Sequence, residues 1–187
     1  SAYGPRYPMP LHEDLTPEPV IPYAIQKHVG ERYCAMVSRF YGLETVSLRY
    51  FNVYGPRQTT DADGPYATVI GIFLGQRAKG LPMTIVPDGS QRRDFTHVRD
   101  VARANILAME SNRVGKGEVI NIGTGTNWSM QEVAELIGGP WVFTEPRQGE
   151  VHETLADNRK AKELLGWEPN IQFEHGIAEL QQLHGLT

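Results

Sequence analysis

Apolar positions recur at helical spacing in some stretches and crowd into short runs in others, and the two kinds alternate along the chain. Residues 22–41 carry the first helical pattern, with proline suited to a first turn and Gly42 to a stop. Val29, Tyr33, Met36, Val37 and Phe40 fall at the spacing of a core-facing side. Residues 45–51, Thr-Val-Ser-Leu-Arg-Tyr-Phe, are β-rich and of strand length, and 52–56 end them in a turn. Helices are predicted over 68–79, 98–111, 129–137, 158–165 and 173–184, and strands over 83–86, 118–122 and 141–143. Ser129 is placed to cap its helix, with Glu132 completing a capping box. Residues 3–22, punctuated by prolines, and the polar 57–67 are loops. Strands alternating with helices argue for an α/β fold and against an all-β protein or a bundle.

Composition narrows the partners. The 187 residues fit one domain or one and a half small ones, and 40% apolar content supplies a sizeable core. A net charge of −4 gives no broad basic surface for nucleic acid or an acidic membrane. No apolar run approaches the ~20 residues that span a bilayer. The N-terminus lacks the charged and apolar regions of a signal peptide. The single cysteine, Cys34, forbids an internal disulfide, which suits a reducing cytoplasm.

Four constellations carry chemistry. Tyr23-Ala24-Ile25-Gln26-Lys27 sets a phenol and an ammonium four apart on one helix face. An ammonium beside a phenol favours the phenolate, a base able to take a proton from a sugar hydroxyl. That spacing alone is common on any exposed helix. Arg49-Tyr50-Phe51-Asn52-Val53-Tyr54-Gly55-Pro56-Arg57 places an amide and a guanidinium just past a strand's C-terminal end, where open α/β sheets bind ligands; a buried strand end and turn would look similar. Asp88-Gly89-Ser90-Gln91-Arg92-Arg93-Asp94 presents an arginine pair, suited to phosphate, or else a solvated charged turn. Arg147-Gln148-Gly149-Glu150 sets an arginine near a carboxylate, as a diphosphate and ribose site or a surface ion pair would.

In this order and spacing, the four together resemble the later part of the extended short-chain dehydrogenase/reductases, nearest the nucleotide-sugar 4-epimerases. The resemblance runs from Ser1-Ala2-Tyr3-Gly4 to Leu165-Gly166-Trp167-Glu168-Pro169. It implies an incomplete Rossmann-like parallel sheet over residues 1–58, the end of an NAD-binding domain. A smaller C-terminal α/β substrate-binding domain would cover 59–187, some of its elements packing back on the first part. It implies Tyr23 as catalytic base, Lys27 on the nicotinamide ribose, and Phe51 on the cofactor through its backbone. Asn52, Arg93 and Arg147 would hold a substrate diphosphate and Glu150 a ribose. Thr84, Ile85 and Val86 would line a nucleobase pocket. Gln58 and the stretch 64–70, which includes Thr68, resemble the sugar-side loop of 4-epimerases that accept N-acetylated hexosamines. The implied cofactor is NAD, the partner a nucleotide-diphosphate sugar, and the assembly a homodimer.

Two departures accompany the resemblance. The glycine-rich turn that seats the NAD pyrophosphate is absent, and Gly123-Thr124-Gly125 lacks its third glycine. Ser1 stands where the family's catalytic serine cluster would end. The expectation is a chain that is inactive, and holds no NAD stoichiometrically, on its own. Two readings stay beside the epimerase. One is a 4,6-dehydratase or decarboxylase, whose relatives carry a glutamate two residues before the Tyr-Gly pair, where Ser1 stands here. The other is a non-catalytic nucleotide-sugar-binding module.

Overall fold

The structure, a computed structural model, describes residues 2–60, 67–146 and 151–186. Helix α1, Pro22–Tyr41, begins on its proline and stops where Gly42 turns left-handed at φ 70°. Strand β1, Thr45–Tyr50, follows and runs parallel to β6, Lys116–Ile122. Side chains alternate across this pair. Val46, Leu48, Ile120 and Ile122 turn to one face, against α3 (Val98–Glu110), α5 (Arg159–Leu165) and the fully buried Trp167. Full burial of each such aliphatic chain stabilises by about 1.5–3 kcal/mol. Thr45 and Arg49 turn to the other face, under α1.

The large apolar residues of α1 do not face the core as expected. Val29, Tyr33 and Phe40 are 43%, 62% and 70% exposed, while Met36 and Val37 are half-buried. The helix instead seats on its small residues. A Cβ added to Gly117 of β6 would stand 2.6 Å from Ala35 Cα, so helix and strand touch where neither side chain is large. Ser38 Oγ donates to Gly115 O, and Cys34 O accepts from Thr45 Oγ1. Close seating on Ala24, Ala35 and Ser38 leaves the bulkier stripe outside.

A second core joins α2 (Val69–Ala78), β3 (Met83–Ile85), α4 (Met130–Ile137) and α6 (Phe173–Leu183), with β8 (Trp141–Phe143) parallel to β3. Tyr54, Phe95, Trp128 and Phe173 form its aromatic end. The expected capping box is present: Ser129 Oγ accepts from Glu132 N while Glu132 Oε2 accepts from Ser129 N.

Two short ladders knit the two cores. Strand β2 (Val53–Tyr54), within the expected turn, pairs in parallel with β5 (Thr96–His97). Strand β4 (Arg92–Arg93) pairs antiparallel with β7 (Trp128–Ser129). A small third cluster of Tyr3, Leu11, Phe51 and Ala156 closes the end of β1.

Candidate active site

The chain leaves β1 through Phe51 and Asn52, and the site is built around that exit. Phe51 is buried, and its N–H is held by Ile122 O at 3.0 Å. Asn52 has a left-handed backbone, φ 27°, which a residue other than glycine holds only at a cost of about 1–3 kcal/mol. Its side chain meets that cost: Nδ2 donates to Asp94 O at 3.0 Å and to Thr154 Oγ1 at 3.1 Å. Both amide hydrogens are therefore engaged within the protein, and the carboxamide oxygen is the part left to face a ligand.

Asp94 is the anchor beneath. It is fully buried and accepts from Thr124 N, Thr124 Oγ1, Gly125 N and Ala156 N, at 2.7–3.0 Å. Burial pushes its carboxyl above the usual value, and the four donors oppose that shift. One acid thus binds together the segments carrying Asn52, Arg93 and Thr154.

On one side of Asn52 lies a cavity of about 340 Å³. Six of the sequence-derived substrate residues line it together: Asn52, Thr68, Thr84, Ile85, Val86 and Arg93. Tyr54, Phe73, Phe95 and Met130 complete its apolar wall, and none of these was expected from the sequence. Being apolar and separated along the chain, they carry no local signal of a site. Arg93 Nη1 donates to Arg92 O and His152 O, which fixes the guanidinium at the rim. Gln76 fixes Thr84, donating to its hydroxyl and accepting from its N–H. Thr68 caps α2, its Oγ1 accepting from Gly71 N and donating to Gln58 Oε1. Gln58 Nε2 is left buried without a partner. Ser1, Arg147, Glu150 and residues 64–66 lie outside the described residues.

On the other side of Asn52 runs a groove of about 750 Å³, between α1 and β1. Tyr23, Lys27 and Phe51 line it, and Asn52 and Val53 border both spaces. The two spaces therefore meet at this pair of residues. Lys27 Nζ lies over the Tyr23 ring, 5.3 Å from its centre. Tyr23 is 47% exposed.

Beneath Lys27, Glu31 takes a bidentate pair of hydrogen bonds from Arg49, whose guanidinium also lies 4.5 Å from the centre of the Tyr3 ring. Burial pushes Glu31 up, but Arg49 and then His28 outweigh it and hold the carboxyl below its ordinary range. Burial also raises Tyr3, whose hydroxyl donates to Asn121 Oδ1 at 2.6 Å. Among the described residues no group of histidine, cysteine and acid side chains could hold a metal ion, and no helix is long and apolar enough to cross a membrane.

The parallel α/β frame thus has a cleft at the carboxyl end of a strand, where open α/β sheets bind ligands, with a Tyr–Lys pair on one side and a guanidinium-rimmed cavity on the other. The chain belongs to the NAD dependent epimerase/dehydratase family, whose sequence profile matches residues 1–123. It is 40% identical to the UDP-glucose 4-epimerase of Thermotoga maritima, solved with UDP-glucose. The match has a TM-score of 0.85 and covers 94% of this chain and 57% of that one. It is 34% identical to a UDP-N-acetylglucosamine 4-epimerase of Methanobrevibacter ruminantium in complex with UDP-N-acetylmuramic acid (TM-score 0.89), covering 100% of this chain and 61% of that one. A UDP-N-acetyl-alpha-D-glucosaminuronate decarboxylase of Bacillus cytotoxicus is 36% identical over 86% of this chain and 52% of its own length. The chain therefore spans little more than half the length of these relatives, and its fold is that part of a Rossmann-fold epimerase.

Proposed function

We propose that this chain is the substrate-binding part of an NAD-dependent nucleotide-sugar 4-epimerase acting on a UDP-hexose or UDP-N-acetylhexosamine. The observation that carries the reading is the junction at Asn52. A cavity lined by Asn52, Thr84 and Arg93 opens beside a groove lined by Tyr23 and Lys27, so a ligand anchored in the first presents its far end to the second. Arg93 at the rim suits a diphosphate, through charge-assisted hydrogen bonds. The apolar wall with Thr84 suits a flat nucleobase. Gripping the nucleotide and not the hexose leaves the sugar free to turn between two half-reactions.

Tyr23 would take the proton of the C4 hydroxyl and later return it, with Lys27 keeping positive charge beside the ring. When bound, NAD would accept and return the hydride. The groove offers Tyr23, Lys27 and Phe51 to its nicotinamide end. A glycine-rich turn for its pyrophosphate is absent from the 187 residues, so the groove fits only one end of the cofactor. Weak or no NAD binding by this chain alone is the consequence. The resemblance of Gln58 and residues 64–70 to the sugar-side loop of 4-epimerases keeps N-acetylated hexosamines within the substrate class. The decarboxylase relative keeps a second chemistry on the same scaffold open. Homodimerisation through the exposed apolar stripe of α1 belongs to the same reading.

Calorimetry on the chain with UDP, UDP-glucose, UDP-N-acetylglucosamine and NAD tests it. UDP-sugar binding that is lost in Arg93→Ala is expected, with NAD binding no tighter than millimolar. Absence of UDP-sugar binding, or micromolar NAD binding, overturns the reading.

A further inference from the structure

Strand β3 meets β8 through the backbone of Met83 and Ile85: Met83 N donates to Pro140 O, and Ile85 O accepts from Thr144 N. Backbone groups alternate in direction along a strand, so those of Thr84 turn to the opposite edge. There they meet the side chain of Gln76, on α2. Thr84 N donates to Gln76 Oε1 at 3.0 Å, and Gln76 Nε2 donates to Thr84 Oγ1 at 2.9 Å.

This double contact has one polarity. A backbone N–H can only donate, so the carboxamide oxygen must face it and the carboxamide nitrogen must face the hydroxyl. That nitrogen offers no lone pair, so Oγ1 is the acceptor and the hydroxyl hydrogen is left over. A threonine hydroxyl without such a partner rotates to donate or accept as its neighbour requires. At Thr84 it is set in advance as a donor. Thr84 lines the cavity on the nucleotide side of Asn52 and Gln76 does not, so Gln76 acts on that space through Thr84.

We propose that Gln76 is a positioning residue for base selection: by holding the Thr84 hydroxyl as a donor, it suits the cavity to a 4-keto pyrimidine and sets it against a 4-amino one. The carbonyl at C2 is common to both bases and lies beside the bond to the ribose, so position 4 is where they differ. A carbonyl oxygen there accepts the Thr84 proton. An amine there sets donor against donor and leaves both desolvated without a partner, which costs affinity. The proposal rests on the epimerase reading for the presence of a nucleotide in the cavity. The polarity of the Gln76–Thr84 contact stands apart from that reading.

Calorimetry of the chain with UDP and with CDP, in the parent and four variants, tests it. The parent should prefer UDP by at least about tenfold. Gln76→Glu supplies two acceptors, which take both the N–H and the O–H of Thr84 and turn the hydroxyl lone pairs outward. The preference should then vanish or reverse toward CDP. The added charge repels both diphosphates alike and cancels in the ratio. Gln76→Leu frees the hydroxyl to rotate, and Thr84→Val deletes it, so each should bring the ratio close to one. Thr84→Ser keeps the hydroxyl and should keep the preference. A purely structural role for Gln76 would weaken both ligands together and leave the ratio unmoved. Equal affinities in the parent, or a UDP preference that survives Gln76→Glu, overturns the proposal while the epimerase reading stands. A chain that binds no uridine nucleotide overturns both.

Discussion

Arg49 grips Glu31 with a fork of two hydrogen bonds, Nε to Oε1 and Nη2 to Oε2, each 2.7 Å. Glu31 lies one helical turn beyond Lys27 and two beyond Tyr23, so this pair fixes how α1 is rotated over β1. The exposed tyrosine and lysine inherit their direction from a buried ion pair below them.

Glu31→Gln should therefore destabilise the chain by about 3 kcal/mol, because it strands a buried guanidinium. The acid limb of stability should also flatten. The folded carboxyl sits below its usual value of 4.5, so the unfolded state takes the proton first as pH falls. Its contribution is complete above about pH 5 and drains away as pH drops through the folded value. Urea melts of both proteins across that range check the sign. Equal acid slopes would refute it.

Asp94→Ala leaves the N–H groups of Thr124, Gly125 and Ala156 without their acceptor inside the protein. A loss of about 4 kcal/mol is expected, enough to unfold a marginal domain. Thermal melts measure it, and a loss under about 1 kcal/mol would mean that water replaces the carboxylate freely.

Tyr54→Phe should go the other way. The Tyr54 hydroxyl is buried with no partner, and burial lifts its ionisation far above the normal phenol range. Removing it deletes an unsatisfied group and keeps the ring contacts with Phe95, His97 and Phe173. Stability unchanged or raised by up to about 1 kcal/mol is expected from chemical denaturation.

How far these features were legible in the sequence follows from their range. The capping box at Ser129 and Glu132 is four residues of local chemistry, and it formed as read. The long helices and β1 carried enough periodicity to be placed. The two-residue strands did not, because Arg92–Arg93 become a strand only by meeting Trp128–Ser129. The inward face of α1 was misread because size outweighed apolarity: Ala35 approaches Gly117 where Tyr33 could not. Asp94 hid in a run of charges that suggested a solvated turn, and only the folded chain gathers its donors. The expected residues that line the cavity were placed by what the family resemblance implies, whereas Phe95 and Met130 look like any core residue.

On the epimerase reading, and with the chain joined to the portion of the relatives' length that it does not span, Tyr23→Phe and Arg93→Ala should separate. Loss of a general base falls on the transition state, lowering kcat by about 10²–10⁴-fold with KM little changed. Loss of a diphosphate anchor weakens ground and transition states alike, raising KM by about one to two decades at near-normal kcat. Steady-state kinetics on both decide. Normal turnover in Tyr23→Phe would remove it from the base's role.

Tyr33 and Phe40, 62% and 70% exposed, should hold copies of the chain together if the α1 stripe is an interface. The double variant Tyr33→Lys, Phe40→Glu should sediment as a monomer where the parent self-associates. A parent that is monomeric at high concentration argues against the dimer.

Each of the four ladders joins strands distant in sequence: 45–50 with 116–122, 53–54 with 96–97, 83–85 with 141–143, and 92–93 with 128–129. Among the described residues, no two successive strands form a hairpin that could zip up locally. Large loops must close before any ladder rewards them, so this chain should fold slowly for its size. The pairing of β1 with β6 spans the longest of these intervals. During that wait β1 is open on both edges, and a newly made chain is most exposed to aggregation at Thr45–Tyr50, the same six residues that later position the chemistry.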